Sequence, residues 1–408
     1  MITIEQATEI LKENAPVAQP QRVPLMHASG RTLMEEVKAS FDSPSFNNSA
    51  MDGYAVRWQD IETVAGGLPV DVTLVGESSA GTPFNGRLQR GQAIRISTGA
   101  AVPDSADTVV PVEDTVQKDD ATISILQARA KHQHIRFRGE EFARGQTILE
   151  KGALLTPARI ALLASVGRDE PLIIPAPRVA LCITGSELVE HNEQAVFGQV
   201  RNSNGPMLHS ALERDGAHVV GEWRLGDDPQ KIARALDEAA EQAGVIITTG
   251  GVSVGNHDHV RAAAQTCGFD TLFWKIRQRP GKPMFAARKG NTLLVGLPGN
   301  PVSAFMGYTH YLQPLLAFMQ AQPYERPMIS ALLQEDAANR SNRVQLNRVT
   351  LHKGNDGHWK AQLLARQASH MPTTVAHADG YIQLDINARL KAGDRVQVYT
   401  FQKGVNFL

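Results

Sequence analysis

The chain contains 408 residues and carries a formal net charge of −1. This length favours two to four domains over a single core, and the near-zero charge excludes a nucleic-acid binder that relies on bulk positive charge, but not a local basic pocket for a small anion. The two cysteines, Cys182 and Cys267, form no CxxC pair, which excludes a zinc ribbon or a redox motif of that type.

The sequence gives no sign of targeting or of a membrane span. Residues 1–14 mix charged and apolar side chains, whereas a signal peptide has a basic segment followed by an apolar run. The most apolar segments are only long enough for a β-strand. We therefore expect a cytoplasmic protein that contacts no membrane and no nucleic acid.

The predicted elements change character along the chain. Residues 3–13 predict a helix, because Thr3 can cap it and its apolar residues share one face. From about residue 41 to residue 139, short strand-like runs alternate with glycines and prolines, which is typical of a small β-rich domain. Residues 156–167 then predict a second helix that begins at Pro157.

The central part of the chain alternates strands with helices. Continuous apolar strands such as RVALCIT (178–184) are typical of a parallel sheet covered on both faces, so we predict a doubly wound α/β domain that ends in one long helix. The remainder returns to strand-like runs, which predict a small β-barrel or sandwich. The predicted fold class is α/β and β multi-domain, with a linker domain over 1–45 and 140–177, a β-rich domain over 46–139, the α/β domain over 178–326 and a C-terminal β-barrel over 327–408.

Four polar loops are expected at the carboxyl edge of the α/β sheet, where doubly wound sheets bind their ligands. The first loop offers the hydroxyls of Thr184 and Ser186 and the carboxylate of Glu187, and Gly185 allows a close turn. The second loop, residues 248–255, is rich in glycine, so consecutive backbone N–H groups can line an anion. Each loop has a second interpretation as an ordinary polar turn.

The other two loops also suit an anion. Residues 274–283 contain four cations, and the stiff Pro-Gly-Lys-Pro turn fixes the direction of Lys282, although a solvated basic face is the usual explanation of such a run. Residues 297–304 place Asn300 as a helix cap and Pro301 at the first helical position, which would also make an efficient strand-to-helix turn.

Two acids near these loops have two interpretations each. Asp227 could cap the next helix or join a cation site, and Asp258 could cap a helix or hold a divalent cation beside the glycine-rich loop. The GxGxxG fingerprint and the GxxxxGK[ST] phosphate loop are both absent from the sequence. Neither a standard dinucleotide site nor an NTPase site is therefore supported.

Five segments, taken together, resemble the signatures of one family. The sequence resembles the molybdopterin molybdenumtransferases, which include the bacterial MoeA proteins and the E domain of gephyrin, and the segments follow the family's order. They are NSAMDGYAV at 48–56, RGE at 138–140, GGVSVG at 250–255, PGKP at 280–283 and GLPGNPVS at 296–303.

The resemblance implies a homodimer of elongated four-domain subunits with a MogA-like α/β domain, and an active crevice shared with the partner subunit. It implies that molybdate is inserted into adenylylated molybdopterin with release of AMP to give molybdenum cofactor, assisted by Mg²⁺ or another divalent cation. It also implies a transient contact with the protein that adenylylates molybdopterin.

The resemblance assigns roles to individual residues. It implies that the catalytic residues are Asp52, Glu141, Glu187, Asp227, Asp258, Lys275, Arg279 and Lys282, with Glu187, Asp227 and Asp258 also as metal ligands. It implies that Thr98, Pro298, Pro301, Arg343, Arg348 and Ser369 contribute to the substrate site. From the composition of the loops we add, as further expected substrate-binding residues, Thr184, Gly185, Ser186, Gly250, Gly251, Ser253, Gly255, Gly299, Asn300 and Ser303.

Four positions depart from the family pattern. Glu141 and Ser186 stand where the family usually has Asp, Arg279 stands where it has Lys, and Asn202 stands where Asp is common. Two departures keep the sign of the charge and two lose it, so a pterin-binding paralogue with altered or lost turnover is an alternative. A scaffold protein is another, although a scaffold usually carries an extra fused domain and a long linker, which this sequence does not show.

Overall fold

The structure is a computed structural model, which describes residues 1–252 and 259–401. The chain forms two compact units. The first comprises Met1–Met34, Leu154–Thr156 and the described part of Glu170–Leu408, and the second comprises Glu35–Ala153 and Pro157–Asp169. The predicted class of α/β and β multi-domain is confirmed. Among the described residues, every helix is too short or too polar to cross a bilayer.

A six-stranded sheet forms the centre of the first unit. Four of its strands are parallel, as predicted, and the three inner ones are almost wholly buried because helices cover both faces. In spatial order the strands are His218–Leu225, Arg178–Thr184, Val245–Thr249, Thr292–Leu297, Phe285–Lys289 and Asp270–Trp274. The covering helices include Ile4–Glu13, Asn204–Arg214, Pro229–Gln242, His259–Thr266, Pro301–Gly307 and Gln313–Met319.

The sheet is mixed, because two further strands at one edge include an antiparallel one. The sequence pattern does not predict these two strands. Phe285–Lys289 runs antiparallel to both Thr292–Leu297 and Asp270–Trp274. Two reversals restore the original direction, so Asp270–Trp274 runs parallel to Thr292–Leu297 and ends at the same edge of the sheet. That geometry places Lys275, the next residue, at the edge where the predicted ligand loops lie.

The expectation of one continuous helix after Pro301 is wrong. A π-helical turn, Tyr308–Leu312, separates two α-helical segments. Pro314 has no N–H to donate to the carbonyl of His310 four residues earlier, which interrupts the α-helical ladder. The Arg326 Nη2 group donates to that carbonyl at 2.9 Å, so the freed acceptor is satisfied by the segment that leaves the helix.

The C-terminal part of the first unit is a closed five-stranded barrel. The strands in order around the barrel are Val344–Lys353, Trp359–Leu363, Met328–Leu333, Arg395–Thr400 and Gly380–Leu384, and the last pairs with the first. The short strand Gln278–Arg279 from the α/β domain adds in parallel to Val344–Lys353. Of the two predicted alternatives, the barrel is therefore the one that forms, and it is hydrogen-bonded to the α/β domain.

The second unit is built on another six-stranded sheet. Its strands in order are Thr108–Pro111, Gly53–Val56, Gln92–Ile96, Val70–Ser78, Thr122–Ile125 and Thr115–Gln117. Short paired strands flank it, namely Val37–Lys38 with Thr147–Leu149 and Asn48–Ser49 with Ile135–Arg136. The predicted helix that begins at Pro157 is present as Pro157–Ser165.

Gly53 gives a test of the packing in this second sheet. A Cβ at Gly53 would lie 2.0 Å from the backbone oxygen of Val110 on the neighbouring strand, whereas a Cβ at Gly66 would meet nothing within 4 Å. We predict that Gly53→Ala lowers the free energy of unfolding by about 3 kcal/mol, because strands must separate to admit the methyl group. Urea unfolding measures this, with Gly66→Ala as the matched control. Equal stability of the two variants would contradict the prediction.

Candidate active site

A cavity of about 770 Å³ opens at the carboxyl ends of the parallel strands in the first unit. All four predicted loops contribute to its wall, the third of them through Pro283 alone, as expected for the ligand-binding edge of a doubly wound sheet. The lining residues that the sequence predicted are Thr184, Gly185, Glu187, Asp227, Gly250, Gly251, Pro298, Gly299, Asn300 and Pro301. The structure therefore brings these residues together around one cavity, and their roles in it stay a prediction.

The glycine-rich loop is held close to the neighbouring strand. Gly250 and Gly251 both have positive φ, at 84° and 61°, and a Cβ on them would lie 2.4 Å from the Thr184 carbonyl oxygen and 2.6 Å from a Val260 methyl group. The Thr184 hydroxyl donates to the backbone oxygen of Thr249 at 3.0 Å. Because only glycine fits, the loop presents backbone groups rather than side chains to the cavity.

Glu187 and Asp227 are the two described carboxylates that line this cavity. Among the described residues, nothing donates a hydrogen bond to the Glu187 carboxylate. Asp227 and Ser186 are paired reciprocally, since the Asp227 N–H donates to the Ser186 hydroxyl at 3.1 Å and the Ser186 N–H faces an Asp227 oxygen at 3.4 Å. The departure at Ser186 thus places a neutral partner, not a second carboxylate, beside Asp227.

The alternative role of Asp227 as a helix cap is wrong. Asp228 is the N-cap of helix Pro229–Gln242, and its carboxylate accepts from the backbone N–H groups of Gln230 and Lys231. The cap is therefore supplied by the next residue. Asp227 is left to face the cavity.

Two asparagines that line the cavity provide polar groups that the loop motifs did not identify. The Asn204 amide donates to the Gly299 carbonyl at 2.8 Å, while its Oδ1 is buried without a partner in the described chain. Asn202 is 2% exposed, and its Oδ1 accepts from the Gly205 N–H at 2.9 Å at the start of helix Asn204–Arg214. The departure at Asn202 is thus a buried amide with a structural hydrogen bond.

Asn300 does not cap its helix through its side chain, which corrects the predicted role. Its amide donates to the Ser369 hydroxyl at 3.1 Å, and the Val302 N–H donates to the Ser369 carbonyl at 3.2 Å. Pro301 does occupy the first helical turn, as predicted. The strand-to-helix turn is therefore fixed by a segment of the barrel domain, and Ser369 joins the site through it.

A second cavity, of about 320 Å³, adjoins the first and shares Pro283, Pro298 and Asn300 with it. It is the basic cavity of this site, because Arg279, Lys282 and Arg343 line it together with neutral polar groups from Ser303, Gln367 and Ser369. In residues 1–252 and 259–401, these three cations form no ion pair and no side-chain hydrogen bond. Three cations without a carboxylate partner suit a small anion.

Two other predicted cations lie outside both cavity linings. Lys275 has its ammonium 3.5 Å from the centre of the Trp274 ring. Arg348 is 1% exposed, and burial lowers the pKa of its guanidinium to about 10. Its Nη2 group donates to the Ala368 carbonyl at 3.5 Å, and its Nε has no partner in the described chain. Arg348 is thus hydrogen-bonded to Gln367 and Ala368, two residues that line the basic cavity.

Three predicted site residues belong to the second unit. The Asp52 carboxylate accepts from both the N–H and the hydroxyl of Thr98, at 2.7 and 3.0 Å, and these hydrogen bonds lower the pKa of Asp52 below its ordinary value. Glu141 accepts from the Ser43 hydroxyl at 2.7 Å. Asp52 and Thr98, which were predicted as site residues without any contact between them, are therefore hydrogen-bonded to each other.

Part of the predicted site lies outside the described residues, namely Ser253, Gly255 and Asp258. The predicted metal ligands Glu187 and Asp227 line one cavity, but the described ranges contain no group of three or more His, Cys, Asp or Glu side chains arranged to hold a metal ion. Carboxylate oxygens are the ligands that Mg²⁺ prefers, so the two described acids fit that ion chemically.

A polar crevice with a backbone-lined glycine loop, next to a basic cavity completed by a barrel, is chemically suited to small, multiply charged anions. Comparison with known proteins supplies the family. The chain belongs to the MoeA family, since it matches the MoeA N-terminal region (domain I and II) over residues 2–167, a probable molybdopterin binding domain over 180–317 and the MoeA C-terminal region (domain IV) over 330–401.

Individual relatives match over almost their whole length. The chain is 33% identical to the molybdopterin molybdenumtransferase of Haemophilus influenzae and 34% identical to molybdopterin molybdenumtransferase 2 of Mycobacterium tuberculosis, over 98% of this chain and 99% of each relative. A crystal structure of the molybdopterin biosynthesis MoeA protein from Pyrococcus horikoshii superposes with a TM-score of 0.76 at 25% identity, covering 98% of this chain and 100% of that one.

The neighbouring acids Asp227 and Asp228 allow a test of which one caps helix Pro229–Gln242. Because Asp228 satisfies two N–H groups at the start of its helix, we predict that Asp228→Ala lowers the free energy of unfolding by about 1 kcal/mol. Asp227→Ala should change it by less than about 0.5 kcal/mol, since Asp227 is exposed and caps nothing. Urea unfolding compares the two variants. A larger loss for Asp227→Ala would contradict this assignment.

Proposed function

We propose that this chain is a molybdopterin molybdenumtransferase, which inserts molybdate into adenylylated molybdopterin and releases AMP. The observation that carries the proposal is the pair of adjoining cavities, one with two carboxylates and a glycine-rich loop and one with three unpaired cations. Relatives that carry this enzyme name over nearly the full length support it.

The two cavities suit two different anionic partners. In our proposal, the basic cavity of Arg279, Lys282 and Arg343 receives the molybdate dianion, because planar guanidinium groups and a lysine attract compact oxyanions. The glycine-rich loop at Gly250 and Gly251 receives a phosphate of the adenylylated pterin through backbone N–H groups. Bringing two anions together costs electrostatic work, which preorganised positive groups offset.

We propose that Mg²⁺ or another divalent cation binds at Glu187 and Asp227, with Asp258 as a third ligand from outside the described residues. When bound, such an ion would neutralise negative charge on the phosphates that are cleaved. The pairing of Asp227 with Ser186 holds that carboxylate at the cavity wall. Roles for Asp52, Thr98 and Glu141 in the same reaction are proposed from the family resemblance.

We also propose that the protein is a homodimer in the cytoplasm and makes a transient contact with a molybdopterin-adenylylating protein. Large apolar side chains near the predicted acids of the second unit are exposed, which supports a partner surface there. They are Phe41, Phe46, Met51 and Phe137, with exposed fractions of 39%, 48%, 37% and 42%.

Sedimentation at micromolar concentration tests the dimer. We expect a single species of about twice the 44.3 kDa chain mass, because obligate dimers of this kind do not dissociate at that concentration. The variant Phe46→Asp should shift the population toward monomer. A parent protein that sediments only as a monomer would reject the homodimer.

The decisive test of the function is AMP release from adenylylated molybdopterin, measured with and without molybdate. We expect AMP release to require molybdate. We also expect Arg343→Met to raise the KM for molybdate about tenfold, because one charge-assisted contact to the dianion is lost. Arg340→Met is the matched control, because Arg340 is an exposed cation on the same segment that does not line the basic cavity.

The same assay separates the alternatives. A folded parent protein that binds the adenylylated pterin but releases no AMP would support the paralogue with lost turnover, and one that neither binds nor turns over would support a scaffold. Equal KM changes in Arg343→Met and Arg340→Met would show that the basic cavity is not the molybdate site.

A further inference from the structure

Trp274 carries a cation on each face of its indole ring. The Lys275 ammonium lies 3.5 Å from the ring centre, and the guanidinium carbon of Arg261 lies 3.9 Å from it. Two groups this close to one ring centre on the same face would collide with each other, so they lie on opposite faces. Both distances are well inside the range in which the ring quadrupole attracts a cation.

The backbone at Lys275 is held in an uncommon conformation. Its φ is +72°, in the left-handed region that residues with a side chain rarely adopt. Its N–H donates to the Met284 carbonyl at 2.9 Å, and its carbonyl accepts from the Ile2 N–H at 3.1 Å. Two neighbouring segments therefore impose this turn, which sends the Lys275 side chain back over the preceding tryptophan.

This turn is linked directly to the walls of both cavities. The Ile276 N–H donates to the Lys282 carbonyl at 3.0 Å, and Lys282 and Pro283 line the basic cavity. Lys275 also follows the edge strand that ends on the same side of the sheet as the ligand loops. The Lys275 ammonium is therefore anchored beside the site without a place in either wall.

The other face of the ring is covered by a side chain from the helix that packs beside the glycine-rich loop. Arg261 lies in helix His259–Thr266, directly after Val260, whose methyl group closes the space beside Gly251. Trp274 thus joins the helix that supports the glycine-rich loop to the turn that supports the basic cavity. The Trp274 indole N–H is buried without a partner in the described chain, so the ring face is the feature that this position uses.

We propose that Trp274 is a positioning residue, which holds the Lys275 ammonium over its ring at the edge of the site so that the cation is available to an anionic substrate. The inference rests on the proposed function. Within the described residues, Lys275 forms no ion pair with any carboxylate, so its charge is not consumed by the protein. A hydrophobic residue of similar size would pack there but would leave the lysine to move freely.

The test compares variants that keep or remove the ring face, using AMP release as the assay. Trp274→Leu should lower kcat/KM for adenylylated molybdopterin about tenfold, and Trp274→Phe, which keeps a ring face, should recover most of that loss. Trp223→Leu is the matched control. Trp223 is another half-buried tryptophan of the same apolar cluster, but no described cation lies over its ring. It should retain parental kinetics.

A double-variant cycle separates positioning from packing. In a Lys275→Met background, Trp274→Leu should cause no further loss, whereas in a Lys275→Arg background, which keeps a cation, it should still cause one. Multiplicative losses in the Lys275→Met background, or a Trp274→Leu protein as active as the parent, would overturn the inference. A parent protein that releases no AMP would instead refute the proposed function.

Discussion

The crevice depends on how closely two neighbouring strand-end loops approach each other. Gly250 follows one parallel strand and Thr184 ends the next, and no side chain fits between them, because a Cβ at Gly250 would lie 2.4 Å from the Thr184 carbonyl oxygen. The wall of the cavity is therefore peptide backbone at this point. Its polar groups are fixed by the sheet, which means that they need little reorganisation when an anion arrives.

The basic cavity depends on a different interaction, the strand pairing between the α/β domain and the barrel. Gln278–Arg279 adds to the barrel strand that begins at Val344, which follows Arg343 directly. The buried Gln278 side chain donates to the Pro280 carbonyl and accepts from the Tyr311 hydroxyl. A satisfied neutral amide thus supports a cluster of cations, and it does so without a carboxylate that would compete with the ligand.

Much of the α/β domain and of its crevice could be predicted from the sequence, because apolar periodicity and glycine placement are local signals. The antiparallel edge strands were missed, since pairing between Asp270–Trp274 and Phe285–Lys289 is a non-local choice. The sequence could not predict whether Asp227 or Asp228 caps the helix, because two adjacent acids give the same local pattern. The contribution of Ser369 arises from a distant segment, and only family resemblance pointed to it.

The π-turn in the last helix of the α/β domain has a consequence for how relatives of this chain can diverge. The carbonyl that Pro314 leaves without a helical donor is occupied by Arg326, in the segment that leads into the barrel. The interruption of the helix thus provides the acceptor that holds the following segment in place. We therefore expect the two positions to change together among relatives, because loss of Arg326 removes the donor to the His310 carbonyl unless Pro314 is replaced as well. We also expect the segment between them to keep a length that leaves the arginine within reach.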